Sequence, residues 1–216
     1  MSNITTFIFD LDGVITDTAE YHYLAWEKLS DEENMHFDKE MNELLKGVSR
    51  TDSLKIILDH NDVIISDETL EEWATRKNEY YVELIKTVTP KDLFPGIKEL
   101  FNELKNRSIY IALGSASKNA ATVLNGLGIT EYFDMIGDGH SVKRSKPAPD
   151  LFLHVAESLG VKPETCVVVE DAEAGVEAAK TAGMYAVGIG DPTALNKADI
   201  VYTAPKNIVL KDIIKN

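Results

Sequence analysis

From about residue 95 onward, short apolar runs alternate with amphipathic helical patterns, and this alternation constrains the fold more than any other feature of the chain. The run at 109–113 predicts a buried strand, and the segment before it carries Ile97, Leu100, Phe101 and Leu104 at helical spacing. Further strand-like runs lie at 135–136, 166–169, 185–189 and 199–202, with helical patterns at 118–127, 151–159 and 173–182. Such alternation predicts an α/β fold with a parallel sheet and helices on both of its faces. The apolar run at 4–10 belongs to the same sheet, although it is far away in sequence.

Between about residues 15 and 92 the strand signals vanish and helical patterns remain. Ser66-Asp67-Glu68 predicts a helix start, and apolar residues follow it at helical spacing. We therefore expect two domains: a core formed by 1–14 and 93–216, and an all-helical domain, 15–92, inserted after the first strand. Ligands of open α/β sheets bind beyond the carboxyl ends of the strands, so this insertion would cover the site as a lid.

The bulk composition excludes several classes of protein. The chain has 216 residues and a formal net charge of -14, which argues against a nucleic-acid-binding surface. Its single cysteine excludes a disulfide framework within one chain. No apolar run approaches the roughly 18 residues of a membrane helix, and no signal-peptide pattern opens the chain. We expect a soluble, cytoplasmic monomer without a nucleic-acid or membrane partner.

Two carboxylates close the first predicted strand. Asp10 and Asp12 follow the apolar run, and Gly13 comes directly after them. Alternate side chains of an extended segment share a face, so both carboxylates would leave the strand close together. Such a pair suits a hard divalent cation, a nucleophile beside an acid/base group, or both. The alternative is a turn with solvated acids.

Three more groups of polar residues follow predicted core strands. Ser115, Ala116, Ser117, Lys118 and Asn119 open a helix after 109–113, which suits a phosphate cradle or an ordinary serine cap. Prolines stiffen the loop that carries Lys146, so this lysine would have a rigid support. The alternative interpretation is a surface lysine before a helix. Glu170 and Asp171 follow 166–169. They either cap the next helix or complete an all-oxygen environment that suits Mg²⁺.

These four segments, in this order and at these strand ends, resemble the core motifs of the haloacid dehalogenase superfamily of phosphoryl-transfer enzymes. The resemblance implies a Rossmann-like core and makes the helical insertion the superfamily's cap. It implies that Asp10 is the nucleophile, that Asp12 is the general acid/base, and that Ser115 and Lys146 hold the phosphoryl oxygens. It also implies one Mg²⁺ held by Asp10, the backbone carbonyl of Asp12 and Asp171, with Glu170 close by.

The predicted cap carries a second set of motifs, which resemble those of the β-phosphoglucomutase family within that superfamily. They lie in 17–22 with Trp26, in 46–53 and in 76–78. The resemblance implies exchange of β-glucose 1-phosphate with glucose 6-phosphate through β-glucose 1,6-bisphosphate, which also primes the aspartate. His22 would position Asp12 and the sugar hydroxyl. The implied substrate-binding residues are Thr18, Trp26, Lys46, Gly47, Val48, Ser49, Arg50, Ser53, Lys77, Ser115, Ala116, Ser117, Lys118 and Asn119.

A bisphosphate needs a second phosphate site remote from Asp10. Arg50 of the cap, with Ser117, Lys118 and Asn119 of the core, would supply it on cap closure.

Without the resemblance, His22 suits a surface or capping role, Trp26 a core position, and Lys77 either a snorkelling or a cleft-facing position. A sugar-phosphate phosphatase would keep the same core, and a non-catalytic sugar-phosphate-binding regulator would be expected to lack one of its charged groups.

Two residues depart from the family pattern. Gly114 stands where alanine is expected and should loosen the backbone slightly, and Ala172 stands where serine is expected.

Overall fold

The computed structural model describes residues 4–45 and 48–214. Its sheet has six parallel strands in the order β3-β2-β1-β4-β5-β6 over these residues. The strands are β1 Thr6–Phe9, β2 Tyr110–Gly114, β3 Met135–Gly137, β4 Cys166–Glu170, β5 Tyr185–Ile189 and β6 Ile200–Tyr202. The central strand is β1, and its Phe9 pairs with Leu113 of β2 and Val169 of β4. The carboxyl ends of these three strands therefore meet at one edge.

Helices cover both faces of the sheet, as the alternation predicts. They are α5 Ile97–Asn106, α6 Ala120–Leu127, α7 Asp150–Leu159, α8 Glu173–Thr181 and α9 Leu210–Ile213. The side chains of Phe7 and Phe9 pack with α5, α6 and α9, whereas Ile8 packs with α7 and α8. This alternation of consecutive residues is that of a strand buried on both faces.

The predicted core strands and helices are confirmed, with small shifts at their ends. Strand β2 runs over 110–114 rather than 109–113, because the backbone N–H of Ile109 donates to Leu104 and closes the turn after α5. The expected loosening of the backbone at Gly114 remains a prediction, but the strand is closely packed at this point. The Phe152 ring lies so close that a Cβ at Gly114 would be 2.7 Å from Cε1.

In the part of the chain that the structure describes, four α-helices lie between β1 and α5: α1 Ala19–Glu32, α2 Lys39–Glu43, α3 Arg50–His60 and α4 Asp67–Ile85. We call them the cap helices. They have a hydrophobic cluster of their own around Trp26, Leu29, Leu54 and Ile57. Ser66 caps α4, as predicted, by accepting a hydrogen bond from the backbone N–H of Thr69 at 3.1 Å.

The two passages of the chain between the core and the cap helices lie side by side. Thr16 pairs with Leu93 in an antiparallel bridge, and the Phe94 N–H donates to the Ile15 carbonyl at 2.9 Å. The Thr16 hydroxyl donates to the Asp92 carbonyl at 2.7 Å. The cap helices are thus joined to the core close to Asp12, although the boundaries 15 and 92 remain a prediction.

Across the described ranges, no helix combines the length and the apolar character needed to cross a membrane.

Candidate active site

The predicted chemical groups converge at the carboxyl edge of the sheet. Asp10 follows β1, Ser115 follows β2, Lys146 lies in the loop between β3 and α7, and Glu170 ends β4. Beyond this edge lies a cavity of about 1090 Å³ whose walls come from both the core and the cap helices. The parallel register gathers residues here that are up to 160 positions apart in sequence.

Lys146 connects two of these carboxylates. Its Nζ lies 2.7 Å from Asp10 Oδ1 and also pairs with Glu170 Oε1, and the lysine side chain is buried. Burial alone would lower the pKa of the Lys146 ammonium, but the charges of Asp10 and Glu170 outweigh burial and hold that pKa above its ordinary value. Lys146 is therefore a permanent cation beside an Asp10 oxygen.

An all-oxygen group of possible metal ligands surrounds Asp10. Carboxylate oxygens of Asp10, Glu170 and Asp171 lie within 4.8 Å of one another. Burial, followed by the charges of Glu170 and Asp10, raises the pKa of Asp171, and burial also raises the pKa of Glu170. This concentration of negative charge fits a hard divalent cation such as Mg²⁺, which would neutralise it.

Asp12 lies next to this group in a different environment. Burial and the neighbouring charge of Asp10 raise the pKa of Asp12 to about 7, while a hydrogen bond donated by the Thr18 hydroxyl to Oδ1 opposes the rise. A carboxyl group that titrates near neutrality can both give and accept a proton at the pH of the cell.

A histidine and a lysine from two cap helices meet above the core carboxylates. Lys77 of α4 is 2% exposed, and its Nζ lies 2.8 Å from His22 Nδ1 of α1 and 4.6 Å from the centroid of the Trp26 ring. Burial and then the charge of Arg50 lower the pKa of Lys77 to about 7. Burial, followed by Lys77 and Arg50, lowers the pKa of His22, so the imidazole is neutral at neutral pH.

Arg50 is the first residue of α3 and lines the same cavity. The preceding Ser49 caps that helix: its hydroxyl accepts from the Asp52 N–H at 3.3 Å and donates to the Asp52 carboxylate at 2.6 Å. Arg50 Nη1 donates to the Ala74 carbonyl at 3.4 Å, a long and weak contact. Its guanidinium can therefore turn toward an anion in the cavity at little cost.

The core supplies a polar segment to the same cavity. Ser117, Lys118 and Asn119 line it, and Asn119 Nδ2 donates to Asn78 Oδ1 of α4 at 2.7 Å. This hydrogen bond joins a cap helix directly to the segment that opens α6.

Comparisons with known proteins agree with this geometry. The model of the haloacid dehalogenase-like hydrolases matches residues 4–183. The chain belongs to the haloacid dehalogenase-like family. It is 45% identical over 206 residues to a β-phosphoglucomutase of Bacillus subtilis, covering 94% of this chain and 91% of that protein.

Two further relatives of this family member differ in their stated activities. A crystal structure of β-phosphoglucomutase from Clostridium difficile superposes with a TM-score of 0.94 at 45% identity, covering 97% of this chain and 95% of the other. A phosphorylated carbohydrates phosphatase of Thermotoga maritima is 31% identical and covers 96% of this chain and 98% of that protein. The predicted fold, a Rossmann-like core with an inserted helical cap, is confirmed. The similarities support an enzyme of the phosphomutase type within the haloacid dehalogenase-like family.

The structure brings most of the predicted site residues of this family member together. Those that line the cavity are Asp10, Asp12, His22, Trp26, Val48, Ser49, Arg50, Ser53, Lys77, Ser115, Ala116, Ser117, Lys118, Asn119, Lys146 and Asp171. Thr18 lies behind Asp12, fully buried, and Glu170 lies behind Lys146. The predicted binding residues Lys46 and Gly47 lie outside the described residues. The roles assigned to all these side chains remain predictions.

Sequence reasoning gave no site role to two polar residues of α4, although one of them, Asn78, lies in the motif at 76–78. Asn78 and Tyr81 both face the core segment 115–119, but the helical stripe indicates only a core position for Tyr81. The signal for Tyr81 was its spacing of four residues from Lys77 and three from Asn78, because residues three and four apart share one face of a helix.

Proposed function

We propose that the chain is a phosphomutase that interconverts β-glucose 1-phosphate and glucose 6-phosphate. The reaction runs through an aspartyl phosphate on Asp10 and through β-glucose 1,6-bisphosphate, with Mg²⁺ as the metal. The similarity to β-phosphoglucomutases along nearly the whole chain supports this assignment. The substrates are small sugar phosphates.

One observation carries the proposal: a single cavity contains two sets of groups that can bind phosphate. Lys146 and Ser115 lie with Asp10 at the sheet edge, whereas Arg50 comes from a cap helix and Lys118 from the segment just before the core helix α6. A hydrolase of a monophosphate needs the first set only. The second set suits a bisphosphate, whose remote phosphate needs cations of its own in a chain of net charge -14.

The first half-reaction transfers a phosphoryl group to the enzyme. An Asp10 oxygen attacks phosphorus, the bond between phosphorus and the sugar oxygen breaks, and Asp12 gives its proton to the departing oxygen. Lys146, beside Asp10, and Ser115 hold oxygens of the group in transfer. Asp10, the Asp12 carbonyl and Asp171, with Glu170 close by, would hold Mg²⁺, which neutralises charge on the phosphoryl oxygens when bound.

The second half-reaction returns the group to a sugar. A sugar hydroxyl attacks the phosphorus on Asp10, Asp12 takes the hydroxyl proton, and the bond to the Asp10 oxygen breaks. The bisphosphate turns in the cavity between half-reactions, so that each of its phosphates reaches Asp10 in turn. Arg50, Ser117, Lys118 and Asn119 hold the phosphate that is not reacting.

A sugar-phosphate phosphatase is the second candidate, favoured by the 31% identity to the Thermotoga phosphatase. It would use the same core groups, with water in place of the sugar hydroxyl. The two functions differ in the fate of the phosphoryl group on Asp10.

The deciding experiment mixes the protein with Mg²⁺, β-glucose 1-phosphate and a trace of β-glucose 1,6-bisphosphate, and follows glucose 6-phosphate and free phosphate together. The proposal expects glucose 6-phosphate with little phosphate, and only when the bisphosphate or another primer is present. Stoichiometric release of phosphate would establish the phosphatase instead and would remove the role given to Arg50.

Two substitutions test the assigned roles. Asp10→Asn should abolish all turnover, because the amide is a poor nucleophile, and near-normal mutase activity of this variant would rule out Asp10.

Arg50→Ala should leave priming by a small phosphate donor intact but slow transfer between sugar positions by about 10²-fold or more, the loss typical of an unpaired charged contact. Arg107→Ala removes a surface arginine that pairs with Glu103 and serves as the matched control.

A further inference from the structure

Tyr81 is a buried tyrosine that contacts the acid/base side of the cavity without lining it. It lies on α4 and is fully buried, and its hydroxyl donates to Thr18 Oγ1 at 3.3 Å. The Thr18 hydroxyl in turn donates to Asp12 Oδ1. A chain of two hydrogen bonds therefore runs from Tyr81 through Thr18 to Asp12.

The direction of these bonds follows from the inventory of donors. A threonine hydroxyl has one hydrogen and two acceptor positions. While Tyr81 donates to its oxygen, the single Thr18 hydrogen remains available for the Asp12 carboxylate. Burial and the charge of Asp12 raise the pKa of Tyr81 above its ordinary value, so the phenol stays protonated and remains a donor.

The ring of Tyr81 contacts the other proposed positioning group. It stacks on the His22 imidazole with ring centroids 4.0 Å apart and an interplanar angle of 27°. Lys77 Nζ lies 5.0 Å from the centroid of the same ring, within the range of a cation–π contact. One side chain thus supports Thr18 by its hydroxyl and His22 by its ring.

We propose that Tyr81 is a positioning residue that aims the Asp12 carboxyl at the sugar oxygen through Thr18, while its ring fixes the plane of His22. The inference deepens the proposed function and rests on it for the acid/base role of Asp12 and for the identity of the sugar phosphate. Tyr81 itself touches no reacting atom. Its effect is confined to steps in which a sugar oxygen must receive or lose a proton.

The first variant is Tyr81→Phe, which removes the hydroxyl and keeps the ring. We expect kcat for the sugar phosphate to fall by about 3- to 10-fold, the range for loss of one hydrogen bond, with KM nearly unchanged. Tyr80→Phe is the matched control, because it removes the hydroxyl of the preceding residue, which donates to Glu32 at 2.7 Å outside the cavity. An equal loss in both variants would overturn the proposal.

A comparison of two phosphoryl donors separates positioning from general damage. Phosphorylation of Asp10 by acetyl phosphate releases acetate, which needs no proton, whereas phosphorylation by β-glucose 1,6-bisphosphate releases a sugar oxygen that does. Rapid quenching followed by mass measurement of the phosphorylated chain gives both rates. Tyr81→Phe should slow only the reaction with the sugar donor, and equal slowing with both donors would contradict the positioning role.

A double-substitution cycle tests the path through Thr18. If Tyr81 acts on Asp12 through that hydroxyl, Tyr81→Phe should cost little more once Thr18→Val has already been introduced. If the losses in kcat of the two single variants add up in the double variant, Tyr81 does not act through Thr18. These results do not depend on mutase activity: if the wild type releases phosphate, the same comparison is made on sugar-phosphate hydrolysis, and the proposed function fails separately.

Discussion

Two glycines allow the core carboxylates to approach the backbone closely. A Cβ on Gly175 would overlap the Glu170 carboxylate, and one on Gly13, whose φ is +76°, would overlap that of Asp171. Two of the three acidic side chains of the possible metal group, Glu170 and Asp171, therefore occupy the space that a side chain would take at a glycine. The positions of Glu170 and Asp171 depend on these glycines as much as on their own strand.

The consequence at Gly175 can be measured. Gly175→Ala should displace Glu170 from Lys146 and lower kcat by at least 10-fold, while the methyl group favours helix α8 locally by up to about 1 kcal/mol. The variant should thus lose activity without a matching loss of helix content, checked by steady-state kinetics and circular dichroism.

Gly160→Ala is the control for this substitution. Gly160 has a φ of +67° but has no atom within 4 Å of its Cβ position. Its variant should lose stability through backbone strain and keep its activity. Normal activity of Gly175→Ala would show that Glu170 can move without consequence.

The start of helix α3 joins a structural role to a proposed binding role. Ser49 caps the helix that begins with Arg50, so the hydroxyl predicted to contact substrate is already engaged with Asp52. This N-cap hydrogen bond at the start of α3 fixes the direction in which Arg50 leaves the backbone. An N-terminal helix end also favours an anion in its own right.

Two substitutions separate capping from phosphate binding at Ser49. Ser49→Ala should destabilise the protein by about 1 kcal/mol and raise KM moderately, because it removes the N-cap hydrogen bond of α3. Ser49→Asp keeps a capping oxygen but brings a negative charge toward the phosphate. Its carboxylate would also lie against that of Asp52, which now accepts from the Ser49 hydroxyl, so the melting temperature should fall as well. KM should rise more than in the alanine variant, whereas a KM at or below the alanine value would assign Ser49 to capping alone.

At the scale of the whole molecule, the buried carboxyl groups make stability depend on pH and on metal. Burial raises the pKa of Asp12 to about 7 and also raises the pKa values of Glu170 and Asp171. Between about pH 4 and pH 7 the folded chain therefore binds more protons at these groups than the unfolded chain does. The free energy of unfolding falls as pH rises through this window. His22, whose pKa is lowered, makes the free energy of unfolding rise with pH instead, but it is one group against three.

We expect the melting temperature in the presence of a chelator to fall as the pH rises from about 5 to about 7. Above pH 7 the lowered pKa of Lys77 opposes the trend, so the curve should flatten there. Mg²⁺ should raise the melting temperature more at pH 7 than at pH 5, because fewer protons compete for the carboxylates. Scanning calorimetry with and without Mg²⁺ measures both effects. An equal Mg²⁺ shift at the two pH values would contradict the proposed ligand group.

The sequence predicts the core more fully than the contacts between core and cap. Apolar runs such as 166–169 are buried on both faces and stand out from their surroundings, so the strand ends and the acids that follow them can be located. The Asn78–Asn119 hydrogen bond and the Tyr81–Thr18 hydrogen bond join residues 41 and 63 positions apart. The first joins α4 to the core and the second joins α4 to the residue before α1. No local pattern encodes such pairs, because they exist only after α4 has packed against its neighbours.

The paired passages at Thr16 and Leu93 have a consequence for how such enzymes diversify. The backbone leaves and rejoins the core at one point, held by the Thr16–Leu93 bridge and the Phe94–Ile15 hydrogen bond. An insert of another length or shape can therefore occupy this point without changing the register of a single core strand. In evolutionary terms the helical insert can be exchanged as a unit, and its replacement would place a different substrate-binding surface over an unchanged core.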